Sequence, residues 1–377
     1  MQDAVAFIRD TLLNGQATGT RSITTKLPFP YHLIPGEIRT MLRNIVFRSN
    51  VSRMRKDTSA QPRPYADDTL DRTVAAMGVT APAWAWPHDK KCAVVLSHDT
   101  DTGGQERGIT GVWQLAQRLH LPTTISFVGQ FIDSYAPLIS DLRRTGADIA
   151  LHDIAHTNDI AFMDRSTIVE RLKRAAEWRS AYGITGFRSP SWYVSAALWN
   201  ALDVCGFSYD MSALDTWPFF SKESNHGVRT FLPFGVGNLV VLPNTIPFDD
   251  MPGIVGYKPE ELFAFWKPKI DAIAASGGLI MLNAHPDKWL SGNPRMLDSL
   301  GVVLRYILDT HDPARMTARE VAEHFRSQRF RGAVIDIPGE PLLAVPVATA
   351  PGSSWSIADS DNPCIQTRGA FLRKRHH

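Results

Sequence analysis

Cysteine is scarce in this sequence, which has three in 377 residues. Cys92, Cys205 and Cys364 are odd in number and far apart, which argues against a disulfide framework and is typical of a reducing compartment. No two of them have the C-x-x-C spacing of a thiolate zinc site. The sequence therefore predicts neither a disulfide-stapled fold nor a zinc–cysteine module.

Long apolar runs and an excess of one charge are also missing. No stretch approaches the length of a membrane span, and the first residues, MQDAVAFIRDTLLNG, hold no apolar run long enough for a signal peptide. The net charge of +2 lacks the basic excess of nucleic-acid-binding domains. We therefore expect no membrane span, no nucleic acid as a partner, and a location in the cytoplasm.

Hydrophobic residues make up 44% of the chain, enough for a sizeable core. From residue 91 onward, short apolar segments such as CAVVLS, PTTISFVG, ADIALH and GLIMLNAH alternate with segments of helical periodicity. This alternation predicts an α/β domain with a parallel sheet. Roughly seven such units favour a closed or nearly closed (β/α) barrel, which we predict to be distorted and seven-stranded.

The regions on either side of this alternation differ from it. Residues 1–87 contain a short amphipathic helix, a basic helix-like piece (EIRTMLRNIVFRS) and a polar run. We interpret them as an N-terminal extension that packs on the barrel, with an independent domain as the alternative. Residues 88–330 form the barrel domain. Residues 331–377 lack helical periodicity and are predicted to be a β-rich or irregular C-terminal tail.

The first chemically suggestive cluster, Ser97-His98-Asp99-Thr100-Asp101, follows a predicted strand, where barrel enzymes place their catalytic loops. Two carboxylates two residues apart can converge, one as a metal ligand and the other as a general base. A polar loop with an Asx-turn is the alternative.

The second cluster is His152-Asp153-Ile154-Ala155-His156, after the strand segment ADIA. Histidines at i and i+4 share one face of a helix and can bind one metal; two ordinary surface histidines are the alternative. With Asp101 at another strand end, the set becomes two histidines and one carboxylate. Such a set leaves coordination positions open, as in catalytic metal sites.

Three further clusters also follow strands. Arg188, beside Pro190, can hold a carboxylate through two hydrogen bonds, or can face solvent on a turn. Asp210, with Asp215 in reserve, can orient a histidine, or can serve as a helix cap or surface charge. His285 can protonate a leaving amine, although a lone histidine at a strand end is more often structural.

Together these clusters resemble the five motifs of the polysaccharide deacetylases with the NodB-homology fold, carbohydrate esterase family 4. The matching residues, over about positions 88–290, are Asp99 and Asp101, His152-x-x-x-His156, Arg188-x-Pro190, Tyr209-Asp210 and Leu282-x-x-His285. Thr100 separates two aspartates that are usually adjacent. This spacing, with Trp86-Pro87-His88, resembles a divergent His-Asp-x-Asp branch of the family.

The resemblance implies a role for each residue of the site. Asp101, His152 and His156 would bind a divalent metal, which the family implies to be zinc. Asp99 would be the general base, and Arg188 would hold it ionised. His285 would protonate the leaving amine, and Asp210 would orient His285, with Asp215 in reserve.

Substrate contacts are also implied by the resemblance. A backbone N–H near Ser191 would stabilise the oxyanion, and Trp192, Tyr193 and Trp217 would form walls for a sugar ring. Residues 242–250, which end in Asp249 and Asp250, would lie on the same face and either contact substrate or turn the chain.

The function implied is hydrolysis of an N-acyl group, N-acetyl in the family, from a carbohydrate during surface polysaccharide biosynthesis. The partner would be a nucleotide-linked, lipid-linked or polymeric N-acyl sugar. Two alternatives stay open: a non-catalytic carbohydrate-binding protein on the same fold, and a hydrolase of another C–N bond, such as a formamido or imide group.

Overall fold

The computed structural model describes residues 2–14, 38, 41, 45, 64–79, 83–215, 227–249, 258–328, 332–336, 339–348 and 355–356. Trp217 and Asp250, which the sequence analysis singled out, lie outside these ranges. Within the described residues, no helix combines the length and the apolar character needed to cross a membrane.

The described strands are short, as is usual for a barrel domain. In chain order they are β1 (Pro64–Ala66), β2 (Ala93–Thr100), β3 (Thr123–Phe127), β4 (Asp148–Leu151), β5 (Gly186–Phe187), β6 (Tyr209–Asp210), β7 (Phe234–Val236), β8 (Leu239–Val241), β9 (Leu279–Ala284), β10 (Ala314–Arg315), β11 (Gly332–Ile335), β12 (Leu343–Pro346) and β13 (Trp355–Ser356).

The described helices alternate with these strands through the barrel. They are α1 (Gln2–Arg9), α2 (Thr69–Ala76), α3 (Glu106–Arg118), α4 (Gly129–Ile132), α5 (Ala136–Arg144), α6 (Arg165–Lys173), α7 (Ala176–Tyr182), α8 (Ala196–Val204), α9 (Leu262–Ala275), α10 (Pro294–His311) and α11 (Ala318–Gln328). Asp10–Asn14 continues α1 as a π-helical turn, and single 3₁₀ turns occur at Pro87–Asp89, Asp133–Tyr135, Ile160–Phe162, Pro190–Trp192 and Pro259–Glu261.

Seven parallel strands of the described chain follow one another in the order β9-β2-β3-β4-β5-β6-β8, and the two-residue strand β10 also pairs in parallel with the start of β2. The sheet is not closed, because the free edge of β8 pairs with the antiparallel strand β7 instead of with β9. In the chain that follows β8, the Ile246 N–H donates to the Met281 carbonyl of β9 at 3.1 Å and bridges the gap. The α/β class and the distorted, seven-stranded barrel are therefore confirmed, with one open seam.

Both faces of the parallel sheet are buried, as its near-continuous apolar strands require. On β2, Val94 and Leu96 pack in a cluster with residues of α9 and α10, whereas Ala93 and Val95 pack in the interior cluster with Tyr209. Alternation along β2 therefore points Ser97, Asp99 and the other odd-numbered residues to the interior.

The described parts of both flanking regions contact the barrel domain. Ile8 and Leu12 are fully buried in the same core cluster as Ile125 of β3. The chain after residue 331 adds β11 and β12 to the main sheet through β7, so it is partly β-structure. The division at residues 87 and 330 stays a prediction.

Candidate active site

The register of the parallel strands brings the predicted clusters to one edge of the barrel. Thr100 of β2 pairs with Phe127 of β3, Phe127 with Leu151 of β4, and Leu151 with Phe187 of β5. The residues that follow these strands therefore emerge at one level, at the carboxyl edge. This is where parallel barrels assemble catalytic side chains.

Asp101, His152 and His156 come together in a group whose ligand atoms all lie within 4.8 Å of one another. Oδ1 of Asp101 is 3.4 Å from Nε2 of His152 and 3.5 Å from Nε2 of His156. Both histidines are buried, whereas the Asp101 side chain is 19% exposed. The group is therefore reachable from solvent on one side.

The chemistry of these donors fits a divalent cation. Nδ1 of His152 donates to the Arg188 carbonyl at 2.9 Å, which leaves the Nε2 lone pair for a metal. Burial raises the pKa of Asp101, but His156 and His152 lower it more, to well below its usual value. Asp101 is therefore a carboxylate, as an Asp–His–His site requires.

The two histidines are held by a loop, not by the helix that the i, i+4 spacing predicts. No helical turn spans residues 152–156, and Asp153 has a positive φ of 60°. Arg171 of α6 binds Asp153 through Nε (2.9 Å) and Nη2 (2.6 Å), and Nη2 also donates to the Ala155 carbonyl. An arginine clamp therefore gives this loop its shape.

Asp99 lies beside the metal-ligand group, in a fully buried polar network. Nε of Arg188 is 3.5 Å from Oδ1 of Asp99, and Nη2 of Arg188 donates to Ser97 Oγ at 2.8 Å. Nδ2 of Asn283 donates to Oδ2 of Asp99 at 2.9 Å. The predicted pairing of Arg188 with Asp99 is thus present in the structure, with Asn283 as an additional partner.

Trp192 packs against Arg188 and is 6% exposed. The Arg188 guanidinium lies 4.1 Å from the centroid of the Trp192 ring, and the Phe248 ring stacks on Trp192 at 5.5 Å. Phe248 in turn meets His285 edge-on. Arg188 and Phe248 both pack against the Trp192 ring, and its role as a wall for a sugar ring stays a prediction.

His285 follows β9, and its ring is fixed by Asp249. Nδ1 of His285 is 2.7 Å from Oδ1 of Asp249, and the His285 backbone N–H donates to Oδ2. The backbone N–H and Oγ of Ser291 donate to the same oxygen, at 3.1 and 2.5 Å. Asp249 is fully buried, so these contacts hold the His285 ring in one orientation.

Electrostatics keep His285 protonated. Burial lowers its pKa, but Asp249, and then Asp101 and Asp99, raise it further, to about 10. Burial likewise raises the pKa of Asp249, yet His285 outweighs this and lowers it. His285 is therefore a positively charged donor at neutral pH, which suits protonation of a leaving amine.

Asp210 does not contact His285, which corrects its predicted role. It accepts hydrogen bonds from Nε1 of Trp199 at 2.9 Å and from Oγ of Ser212 at 2.5 Å. The reserve candidate Asp215 forms a fully buried ion pair with Lys269, at 2.8 Å. The contacts of both aspartates are thus with other partners, and the aspartate that contacts His285 is Asp249.

The remaining predicted substrate residues differ in their surroundings. Ser191 is exposed and, like Trp192, has a positive φ, which strains the backbone at this turn. Tyr193 is half-buried and packs edge-on against Phe162. Trp217 lies outside the described residues.

A curated peptidoglycan deacetylase from Helicobacter pylori is 23% identical over 255 residues, which make up 60% of this chain and 86% of that protein. No protein-family model matches the chain.

Three solved structures superpose on about two thirds of this chain and nearly all of their own. A protein described as a polysaccharide deacetylase from Mycobacterium smegmatis has a TM-score of 0.55 at 22% identity, covering 68% of this chain and 98% of that one. Another, from Pseudomonas aeruginosa PAO1, has a TM-score of 0.53 at 19% identity and covers 68% and 97%. The PuuE allantoinase has a TM-score of 0.53 at 18% identity and covers 67% and 96%.

The chain has the NodB-like fold of the polysaccharide deacetylases. The resemblance read from the five motifs is therefore confirmed.

Within this deacetylase fold, the sequence analysis missed partners that lie away from the motifs. Asp249 was noted only as part of a loop after a strand, although the acidic pair at 249–250 was a signal for it. Asn283 lies inside a motif, two residues before His285, and gave no separate signal. Arg171 lies on an ordinary helix, so only the folded chain shows that it reaches the metal-ligand loop.

Proposed function

We propose that this protein is a metal-dependent hydrolase that removes an N-acetyl group from a carbohydrate. The observation that carries the proposal is one constellation at the barrel edge. It combines the Asp101–His152–His156 group, the buried Asp99–Arg188 pair and the charged His285–Asp249 pair. The deacetylase names of the relatives support the carbohydrate substrate.

The metal would be held by Asp101, His152 and His156, and we propose zinc. The chemistry that such a cation supplies when bound is activation of a water molecule and polarisation of the acyl oxygen. Three protein ligands would leave a coordination position open, as in a catalytic rather than a structural zinc site.

The residues around this site divide the proton transfers between them. Asp99 takes a proton from the attacking water at Oδ1, the oxygen that has no hydrogen-bond partner among the described residues. Arg188 pairs with Asp99 by charge, with its Nε 3.5 Å from Oδ1. His285 gives a proton from Nε2 to the departing amine, since Asp249 occupies Nδ1. The exposed turn at Ser191 supplies a backbone N–H toward the oxyanion.

The biological setting belongs to the same proposal. We place the protein in the cytoplasm, in surface polysaccharide biosynthesis, acting on a nucleotide-linked, lipid-linked or polymeric N-acyl sugar. We also keep residues 1–87, 88–330 and 331–377 as extension, catalytic domain and tail. The packing of Ile8 and Leu12 in the barrel core supports an extension that folds with the catalytic domain.

The test is release of acetate from N-acetylated sugars by the zinc-loaded protein, beside the Asp99→Asn variant. We expect turnover by the wild type and a loss of at least 100-fold in Asp99→Asn, with the metal retained. Formamido sugars and allantoin serve as comparison substrates, because an allantoinase shares the fold. Faster turnover of either would assign another C–N bond. Sugar binding without turnover of any substrate would favour the non-catalytic alternative.

A further inference from the structure

Asn283 is a buried amide at the centre of the site, with a role that the proposed mechanism does not yet use. It lies on β9 opposite Ser97 of β2, one pair below His98 and Ala284, and is 1% exposed. Its side chain makes two hydrogen bonds: Nδ2 donates to Oδ2 of Asp99 at 2.9 Å, and Oδ1 accepts from Oγ of Ser97 at 3.0 Å. Both ends of the amide are thus fixed.

The neighbours of Asn283 determine which way its amide points. Asp99 is a carboxylate and only accepts hydrogen bonds, so the NH₂ group must face it. Ser97 accepts from Nη2 of Arg188 at 2.8 Å and therefore turns its own hydrogen toward Asn283 or the Leu282 carbonyl. A flipped amide would place its oxygen against Oδ2 of Asp99, two acceptors in contact, which a buried site does not tolerate.

The two oxygens of Asp99 are consequently held differently. Oδ2 receives the hydrogen bond from Asn283, whereas Oδ1 lies 3.5 Å from Nε of Arg188 and has no hydrogen-bond partner among the described residues. Arg188 alone would attract either oxygen by charge. The amide is what distinguishes them and reserves Oδ1 for the incoming proton.

We propose that Asn283 is a positioning residue that orients the Asp99 carboxylate, so that Oδ1 faces the attacking water. This inference rests on the proposed function, because it concerns the orientation of the same general base, Asp99. It goes beyond the residues that define the five motifs, because Asn283 occupies an unspecified position within the Leu282-x-x-His285 motif. Loss of the donor should reduce kcat by about 10- to 100-fold, the usual range for a residue supporting a catalytic group.

Two variants at position 283 separate the hydrogen-bond donor of the side chain from its shape. Asn283→Asp keeps the shape but replaces the donor with an acceptor beside Asp99, whereas Asn283→Ala removes both. If the donor matters, Asn283→Asp loses at least as much kcat as Asn283→Ala, while KM and bound zinc change less than about threefold. If only shape matters, Asn283→Asp keeps wild-type kcat, and the inference is overturned.

A matched control is Asn244→Ala. Asn244 is another fully buried asparagine, and its Nδ2 donates to the Ile246 carbonyl at 2.8 Å instead of to a catalytic group. We expect this variant to lower the thermal midpoint as Asn283→Ala does, while kcat stays within about threefold of wild type. Equal losses of kcat in both variants would reduce Asn283 to a general packing role.

A crystal structure of Asn283→Ala separates this inference from the proposed function, because it needs no substrate. We expect the Asp99 carboxylate to turn or to occupy two rotamers once the amide is gone. An Asp99 carboxylate unchanged from wild type would overturn the inference even if deacetylation is confirmed. Conversely, a turned carboxylate in a protein that hydrolyses no acylated sugar would refute the proposed function alone.

Discussion

Asp249 and His285 are joined twice, by the ring nitrogen Nδ1 at 2.7 Å from Oδ1 and by the His285 backbone N–H at 2.9 Å from Oδ2. They are 36 residues apart in the chain, and Asp249 also accepts from Ser291. The double contact fixes both the position of the strand end and the rotation of the ring. It makes Asp249 the acidic partner of the proton donor.

This relationship predicts how activity depends on pH. Asp249 helps to raise the His285 pKa to about 10, so His285 stays protonated below that pH and loses its proton as the pH rises through it. In Asp249→Asn, burial still lowers the His285 pKa, but one of the negative charges that raise it is gone. We expect the alkaline limb of kcat/KM to move to lower pH by at least one unit, measured from pH 6 to 10.5.

Asp210→Asn is the control for this measurement. Asp210 contacts Trp199 and Ser212 rather than His285. The alkaline limb of kcat/KM in Asp210→Asn should therefore lie at the same pH as in the wild type. A shift in Asp210→Asn but not in Asp249→Asn would contradict the assignment of the partner.

Metal binding should depend on both histidines of the group. His152→Ala and His156→Ala each remove one of three ligands, so we expect less than a tenth of an equivalent of zinc after dialysis. The exposed His120 serves as control in His120→Asn, which should keep one equivalent. Elemental analysis checks this, and full zinc content in His152→Ala would place the metal elsewhere.

The shape of the metal-ligand loop should depend on Arg171. Arg171→Met leaves the buried Asp153 without its cation and removes one hydrogen bond to the Ala155 carbonyl. We expect zinc affinity to fall by about 10- to 100-fold, as for other residues that support metal ligands, measured by competition with a chelator. Arg174→Met, on the exposed side of the same helical segment, should bind zinc like the wild type. Equal affinity in both variants would show that the loop keeps its shape unaided.

Stability should fall with rising pH because of Asp71 in α2. Burial raises the Asp71 pKa to about 7, so the folded state holds a proton that the unfolded state releases near pH 4. The stabilisation is complete below about pH 4 and is lost as the pH rises to about 7.

Asp71→Asn should remove this dependence. Relative to the wild type, its free energy of unfolding should improve by roughly 1 kcal/mol per pH unit between pH 4 and 7. Urea unfolding at several pH values measures the difference, with the exposed Asp141→Asn as control. Parallel pH profiles for wild type and Asp71→Asn would show that Asp71 is ionised when folded.

The sequence by itself determined the parts of this protein that follow from local pattern. Apolar strands alternating with helical segments predicted the parallel α/β barrel, because each strand needs both faces covered. The same pattern placed Asp99, Asp101, His152, Arg188 and His285 at strand ends, and parallel strands bring such ends to one edge.

Only the tertiary structure decided the partners of these residues. Which aspartate reaches His285 depends on how the chain after β8 returns to β9, and Asp210, Asp215 and Asp249 all had suitable chemistry. The i, i+4 spacing of His152 and His156 likewise permitted a helix, but the Arg171–Asp153 contact holds a loop instead. Hydrogen bonds between residues tens of positions apart leave no local periodicity, and so the folded chain alone selects them.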